Sequence, residues 1–128
     1  SKMGLADDSI FADEAVLVPE LLTKLPYSFF ATSAIDAFIH AIESYVSPKA
    51  TLYTRMFSNQ AMEMILDGFQ KIVEYGPEYR MEILDQFLVA SDLAGVAFGN
   101  AGTGAVHAMS YPLSGSIMWH TAKPIICS

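Results

Sequence analysis

Apolar positions recur along most of this chain at helical spacing. Ala15-Val16-Leu17-Val18 is the exception, a short β-branched run ended by Pro19, and it predicts a strand. Pro19 suits the first turn of a short helix over PELLTKL, and Pro26 opens a longer one. In that longer helix Phe29, Phe30, Ile35, Phe38, Ile39, Ile42 and Tyr45 wrap much of the circumference, which predicts deep burial. Ser47-Pro48 stops it, because a residue before proline is pushed out of the helical region. A third helix is predicted from about Thr51 to Glu74, with Met56, Phe57, Met62, Ile65, Leu66 and Phe69 inward. Gly76-Pro77 ends it and starts the next. Residues 78–98 predict a fourth helix carrying Met81, Leu84, Phe87, Leu88 and Val96. GNAGTG reads as a turn, and a fifth helix should begin near Thr103 and run through His107 toward Pro112. The pattern therefore predicts an all-α helical bundle with a short N-terminal strand attached.

Composition narrows what such a bundle can do. The 128 residues suffice for one domain with a real core. A net charge of −7 argues against nucleic acid as a partner. It also argues against binding at an anionic membrane surface. The stretch from Leu93 to Ala122 has no Asp, Glu, Lys or Arg, so its length and neutrality admit a membrane span. Asn100, Thr103, His107, Ser110 and five glycines within it favour a buried pair of helices instead. The opening SKMGLADDSIFADE has no apolar signal core, and the lone Cys127 forms no internal disulfide, so a reduced, cytoplasmic setting is expected. A mean hydropathy of +0.34 is high for a small domain. It predicts apolar surface that seeks a partner, either a further domain or a second copy in a homo-oligomer.

Candidate chemistry gathers on histidines. Asp36 and His40 lie four residues apart within IDAFIHAIESY, so they share one face of a predicted helix that is otherwise apolar. A carboxylate there needs a hydrogen-bond partner or a cation. The plain reading is a structural Asp–His hydrogen bond; the sharper one is two ligands of a divalent metal ion. His107, in the uncharged AVHAMSYP, adds a second imidazole. One carboxylate and two imidazoles suit Fe²⁺, Zn²⁺ or Mn²⁺. Sequence spacing leaves open whether His107 meets Asp36 or is simply a satisfied core histidine. Lys24, Lys49, Arg55, Lys71 and Arg80 could meet a substrate carboxylate, but are expected to be solvated surface charges.

DAFIHAIESYVS resembles the D-A-L-T-H-A-I-E-A-Y-V-S signature of the iron-dependent (group III) alcohol dehydrogenase family. AVHAMSYPLSG resembles that family's second signature, G-x-V-H-A-M-A-H-P-L-G-G. The spacing between them and the lead-in AVLVPELL also fit, so the resemblance runs from about Ala15 to Ser116. It is nearest to the NAD-dependent 4-hydroxybutyrate dehydrogenase branch. The resemblance implies a helical metal-binding C-terminal domain in which Asp36, His40 and His107 are metal ligands, with Fe²⁺ and Zn²⁺ both admissible. It implies an oxidoreductase that moves a hydride between a small primary alcohol or aldehyde and NAD(P). The metal acts as a Lewis acid toward the substrate oxygen. The nicotinamide carries the hydride. No cofactor-binding or further catalytic residue is assigned. The family's Gly-Gly-Gly-Ser phosphate loop has no counterpart here, and the glycines of GNAGTG follow a helical pattern rather than a strand. Residues 1–18 are accordingly expected to be the last piece of a cofactor-binding domain and 19–116 a truncated metal-binding domain. Such a chain is not expected to bind NAD(P) or turn over alone. The alternative is a non-catalytic helical module that self-associates.

Two departures from the family pattern matter. A histidine usual four residues after the metal-binding one is Tyr111 here, which removes an imidazole that could relay protons. The family's fourth ligand falls fourteen residues after His107, where Thr121 stands. His120 is one residue short, about 100° away around a helix. The genetic code relates this tail to the family's. With one base restored before the Ile117 codon, Met118 and Trp119 force Val at 119 and Ala at 120, and a histidine can be encoded at 121. Residues 117–128 are therefore expected to be an aberrant, out-of-frame tail. Resequencing the gene should find that one inserted base after Ser116 yields an intact dehydrogenase frame downstream; if no insertion does, the frameshift is wrong.

Overall fold

The computed structural model describes residues 12–102, 104 and 106–109. A 3-10 turn, Pro19–Leu22, precedes three long helices: α1 (Tyr27–Val46), α2 (Leu52–Tyr75) and α3 (Leu84–Ala101). A second 3-10 segment, Pro77–Ile83, joins α2 to α3, and residues 106–109 are helical again. Each long helix packs against the other two. The described residues form an all-α unit.

The helix ends follow local chemistry. At the start of α2, Thr51 Oγ1 accepts the Thr54 N–H at 3.2 Å, and Thr54 Oγ1 accepts the Thr51 N–H at 2.8 Å. This reciprocal box satisfies two backbone donors that no helix can. Gly76, at φ +97°, closes α2 by donating its N–H to the Ile72 carbonyl, and Pro77 follows. Gly102, at φ +76°, closes α3 in the same way on Phe98. Positive φ is open to glycine at little cost, and here it lets the chain reverse toward His107.

Small residues face inward. Ala34, Ala37 and Ala41 of α1, Ala61 of α2, and Ala90, Ala94, Ala97 and Ala101 of α3 are all buried. Their Cβ atoms let the backbones approach closely, so larger side chains are displaced outward. This corrects the expected core. Phe29 (63% exposed) and Ile35 (52%) of α1 lie at the surface, as do Tyr45, Met56, Phe57, Leu66 and Val96. Counting apolar residues around a helix treats bulk as burial, whereas closely packed helices bury the smallest ones. At one end an aromatic cluster fills the core: the Phe87 ring meets Phe30 edge-on at 4.8 Å and Phe69 at 5.2 Å. Such arrangements are favoured by the ring quadrupoles. Toward the other end Ser44 donates to the His40 carbonyl at 2.7 Å and meets Ser58 at 2.9 Å, joining α1 to α2. Ser47 donates to the Ala101 carbonyl at 2.6 Å, tying the ends of α1 and α3.

Three further expectations are corrected. Ala15–Val18 forms no strand, because a strand needs a neighbouring ladder and the described residues supply none. The predicted helix over 78–98 begins as the 3-10 segment and continues past Val96 to Ala101, so the turn in GNAGTG starts only at Gly102. Arg80 is no solvated charge. It is buried, donates to the Leu25 carbonyl at 2.9 Å, and lies over the Tyr27 and Phe30 rings. Among the described residues no helix is long and apolar enough to cross a membrane. Tyr111, His120, Thr121 and the tail 117–128 lie outside the described residues.

Gly68 marks the closest approach of α2 to α3, since a Cβ there would stand 2.6 Å from the Phe87 ring. That ring is held by Phe30 and Phe69 and has little room to move. Gly68→Ala is expected to lower stability by about 1–2 kcal/mol in urea denaturation, overpacking outweighing the helix propensity gained. Gly99→Ala, whose Cβ meets nothing within 4 Å, should instead raise stability by up to about 1 kcal/mol.

Candidate metal centre

Asp36 and His40 stand one turn apart on α1, with His40 Nδ1 3.7 Å from Asp36 Oδ2. After Gly102 the chain turns back and brings His107 onto them. His107 Nε2 lies 3.4 Å from Asp36 Oδ1, and the His40 and His107 rings stack at 4.1 Å, only 13° from parallel. One ligand atom from each of the three residues falls within 4.8 Å of the others. The meeting of His107 with Asp36, left open by spacing alone, is thus a feature of the fold.

One property of the site differs from expectation. All three residues sit in apolar sequence and read as buried, yet the Asp36 side chain is 62% exposed, against 23% for His40 and 11% for His107. Asp36 opens onto a cleft of about 320 Å³ between α1 and α3, lined with Ser33, His40, Ser91, Gly95 and Phe98. Phe98 lies against the His40 ring at 4.7 Å. Asp36 therefore needs no buried partner to exist, and the cleft leaves one side of the cluster accessible. Burial lowers the His40 pKa; the nearby His107 ring acts in the same direction, while Asp36 and Glu43 oppose.

Glu43 is the residue that sequence reading missed. It belongs to the same face as Asp36 and His40, seven and three residues away, and is only 5% exposed. Its Oε1 accepts the Val106 N–H at 2.6 Å, and its Oε2 lies 2.5 Å from His107 Nδ1. Burial alone would raise its pKa. The His107 ring and the backbone N–H groups of Val106, Gly104 and His107 more than reverse this and hold the carboxyl below its ordinary range. The only local signal was an acidic residue on an otherwise apolar helix face, one turn from His40. Its partners, however, lie more than sixty positions further along the chain.

The cations weighed as carboxylate receptors do not line the cleft. Lys71 pairs with Asp67 at 2.7 Å, Arg55 donates to the Tyr45 carbonyl, and Arg80 is committed to the core.

A helical domain in which Asp and His one turn apart meet a distant His is the architecture that the sequence resemblance implies. The model of the Fe-containing alcohol dehydrogenase family, C-terminal, matches residues 30–122, and the chain belongs to this family. It is 57% identical to the 4-hydroxybutyrate dehydrogenase of Clostridium kluyveri over 116 residues, 91% of the chain and 31% of that protein. It is 38% identical to an NAD-dependent methanol dehydrogenase of Bacillus methanolicus over 89% of the chain and 29% of that protein. It is 37% identical to long-chain-alcohol dehydrogenase 1 of Geobacillus thermodenitrificans over 90% of the chain and 29% of that protein. The chain thus spans less than a third of the length of these relatives. No solved structure matches it.

Gly104 lets the backbone pass over the Glu43 carboxylate, since a Cβ there would stand 3.2 Å from Oε1. The carboxylate is pinned on both oxygens and has little freedom to give way. Gly104→Ala is expected to cost about 1 kcal/mol, measured by thermal denaturation, rather than stabilise as such a change does in open loops.

Proposed function

We propose that Asp36, His40 and His107 hold a divalent metal ion, Fe²⁺ or Zn²⁺, in the helical domain of an NAD(P)-dependent alcohol dehydrogenase of the 4-hydroxybutyrate dehydrogenase type. The observation that carries this is the convergence of the three donor atoms within 4.8 Å. The donor set fits such an ion chemically, and ligands of one ion lie at most about 4.2 Å apart, so binding requires only a small inward movement of the side chains. A metal ion bound there supplies Lewis acidity toward an alcohol or carbonyl oxygen.

The chain's own residues supply the rest of the pocket. Asp36 and His40 supply polar lining, Phe98 apolar lining, and Ser33 and Ser91 also border it. That combination suits a short alkyl chain carrying a terminal alcohol or aldehyde. The identity to 4-hydroxybutyrate dehydrogenase supports this substrate class. In this reading residues 19–116 are the metal-binding domain and 1–18 the last piece of the cofactor-binding domain. Hydride transfer needs a nicotinamide held against the substrate carbon. GNAGTG, part of which forms the end of α3, is no phosphate loop. NAD(P) is therefore not expected to bind this chain alone. A second reading, a non-catalytic module that self-associates, draws on exposed apolar side chains such as Phe29, Ile35, Leu52 and Leu66.

Zinc titration of the purified chain, followed by calorimetry, should show one site, weakened at least about tenfold in Asp36→Asn. The same chain should reduce no NAD with 4-hydroxybutyrate. Absence of zinc binding together with dimers in sedimentation would favour the self-associating module. NAD reduction would show that this chain suffices for the reaction.

A further inference from the structure

We infer that Glu43 is a positioning residue that fixes the ring orientation and tautomer of His107, so that Nε2 is the nitrogen presented to Asp36 and His40. The inference rests on the reading of Asp36, His40 and His107 as a metal site. Glu43 is a buried carboxyl whose two oxygens are divided between two tasks. Oε1 accepts the Val106 N–H at 2.6 Å, holding the chain one residue before the histidine. Oε2 engages the ring itself, 2.5 Å from Nδ1. The absence of a side chain at Gly104 brings the segment down onto this carboxylate.

An ionised carboxylate only accepts hydrogen bonds, so the hydrogen of the His107–Glu43 contact belongs to Nδ1. The Nε2 lone pair is then the one directed into the cluster, 3.4 Å from Asp36 Oδ1. Histidines that bind metals typically give their other ring N–H to a carboxylate or carbonyl, which sets the ring plane and raises the basicity of the ligating nitrogen. Glu43 stands in that relation to His107. His40 is oriented differently, by its position on α1, by stacking on His107 and by a tilted contact with Phe98. The contrast follows from their origins. His40 is carried by a long helix, whereas His107 arrives after a reversal at Gly102 and needs an anchor of its own.

The test is a histidine ¹⁵N spectrum of the labelled chain at about pH 8, above the ordinary histidine pKa. The wild type should show His107 with hydrogen on Nδ1 and none on Nε2. In Glu43→Gln, a single amide oxygen replaces two acceptors, so the tautomer should shift toward Nε2–H and zinc affinity should fall about 10- to 100-fold. A carboxylate that merely caps the backbone at Val106 would leave the ring tautomer unmoved by this substitution. The inference is overturned if wild-type His107 carries its hydrogen on Nε2, or if Glu43→Gln keeps both tautomer and zinc affinity. The wild-type spectrum decides even if the variant fails to fold. A wild type that takes up no zinc but keeps the Nδ1–H tautomer would sink the metal reading while leaving the hold of Glu43 on the ring intact.

Discussion

Close approach of three helices through alanine and serine is the constraint from which the rest of this structure follows. Ala37 and Ala41 of α1 and Ala90, Ala94 and Ala97 of α3 are buried at successive turns. With so little side-chain volume between them, the helices have few ways to slide or rotate past one another without opening a gap, and gaps in a packed interior are costly. The register is pinned again by hydrogen bonds, Ser44 to Ser58 across α1 and α2 and Ser47 to Ala101 across α1 and α3. Rotation of α1 is thereby fixed, and so is the direction in which Asp36 and His40 project. The same packing leaves the cleft beside them, because Gly95 contributes no bulk on the facing side of α3.

The second half of the cluster is delivered by a less regular device. His107 follows the end of α3 and a positive-φ glycine, neither of which could hold an imidazole in place alone. Glu43 makes up for this. Burying a carboxylate is unfavourable unless it is well hydrogen-bonded, and here the backbone of Gly104, Val106 and His107 and the imidazole provide those bonds. The dependence is mutual: Gly104, Val106 and His107 satisfy the charge, and the charge holds Val106 and His107 in place. Removing either partner would leave the other buried and unsatisfied, which is far costlier than the modest net gain from forming the pair.

Much of this was legible in the sequence, and the gaps have physical causes. Pro26, Ser47-Pro48 and Gly76-Pro77 mark helix ends that local sterics decide, and α1 and α2 begin and end within a residue or two of where those signals place them. The candidate ligands Asp36, His40 and His107 stood out as polar groups in apolar surroundings, and the fold brings them together. The core was less legible. Phe29 and Ile35 were expected inside because they are large, but the helix spacing admits alanine there and excludes them. Ala15–Val18 has strand-like composition without the neighbouring ladder that a strand requires, and composition carries no information about that neighbour. Glu43 escaped for a related reason: its place on an apolar face hints at burial, but its role is defined by Val106 and His107, far along the chain.

The exposures across the cluster form a gradient, from 11% at His107 through 23% at His40 to 62% at Asp36. A purely structural metal site closes all its ligands off from solvent, whereas a catalytic one keeps a position open. Here the back of the cluster is made rigid by Glu43 and the α1–α3 packing, and the front opens at Asp36 onto the cleft. A ligand atom that is easily reached by solvent is also easily reached by substrate. An Asp36 that faces the cleft is compatible with a site that keeps one position open, as the proposed dehydrogenase centre requires.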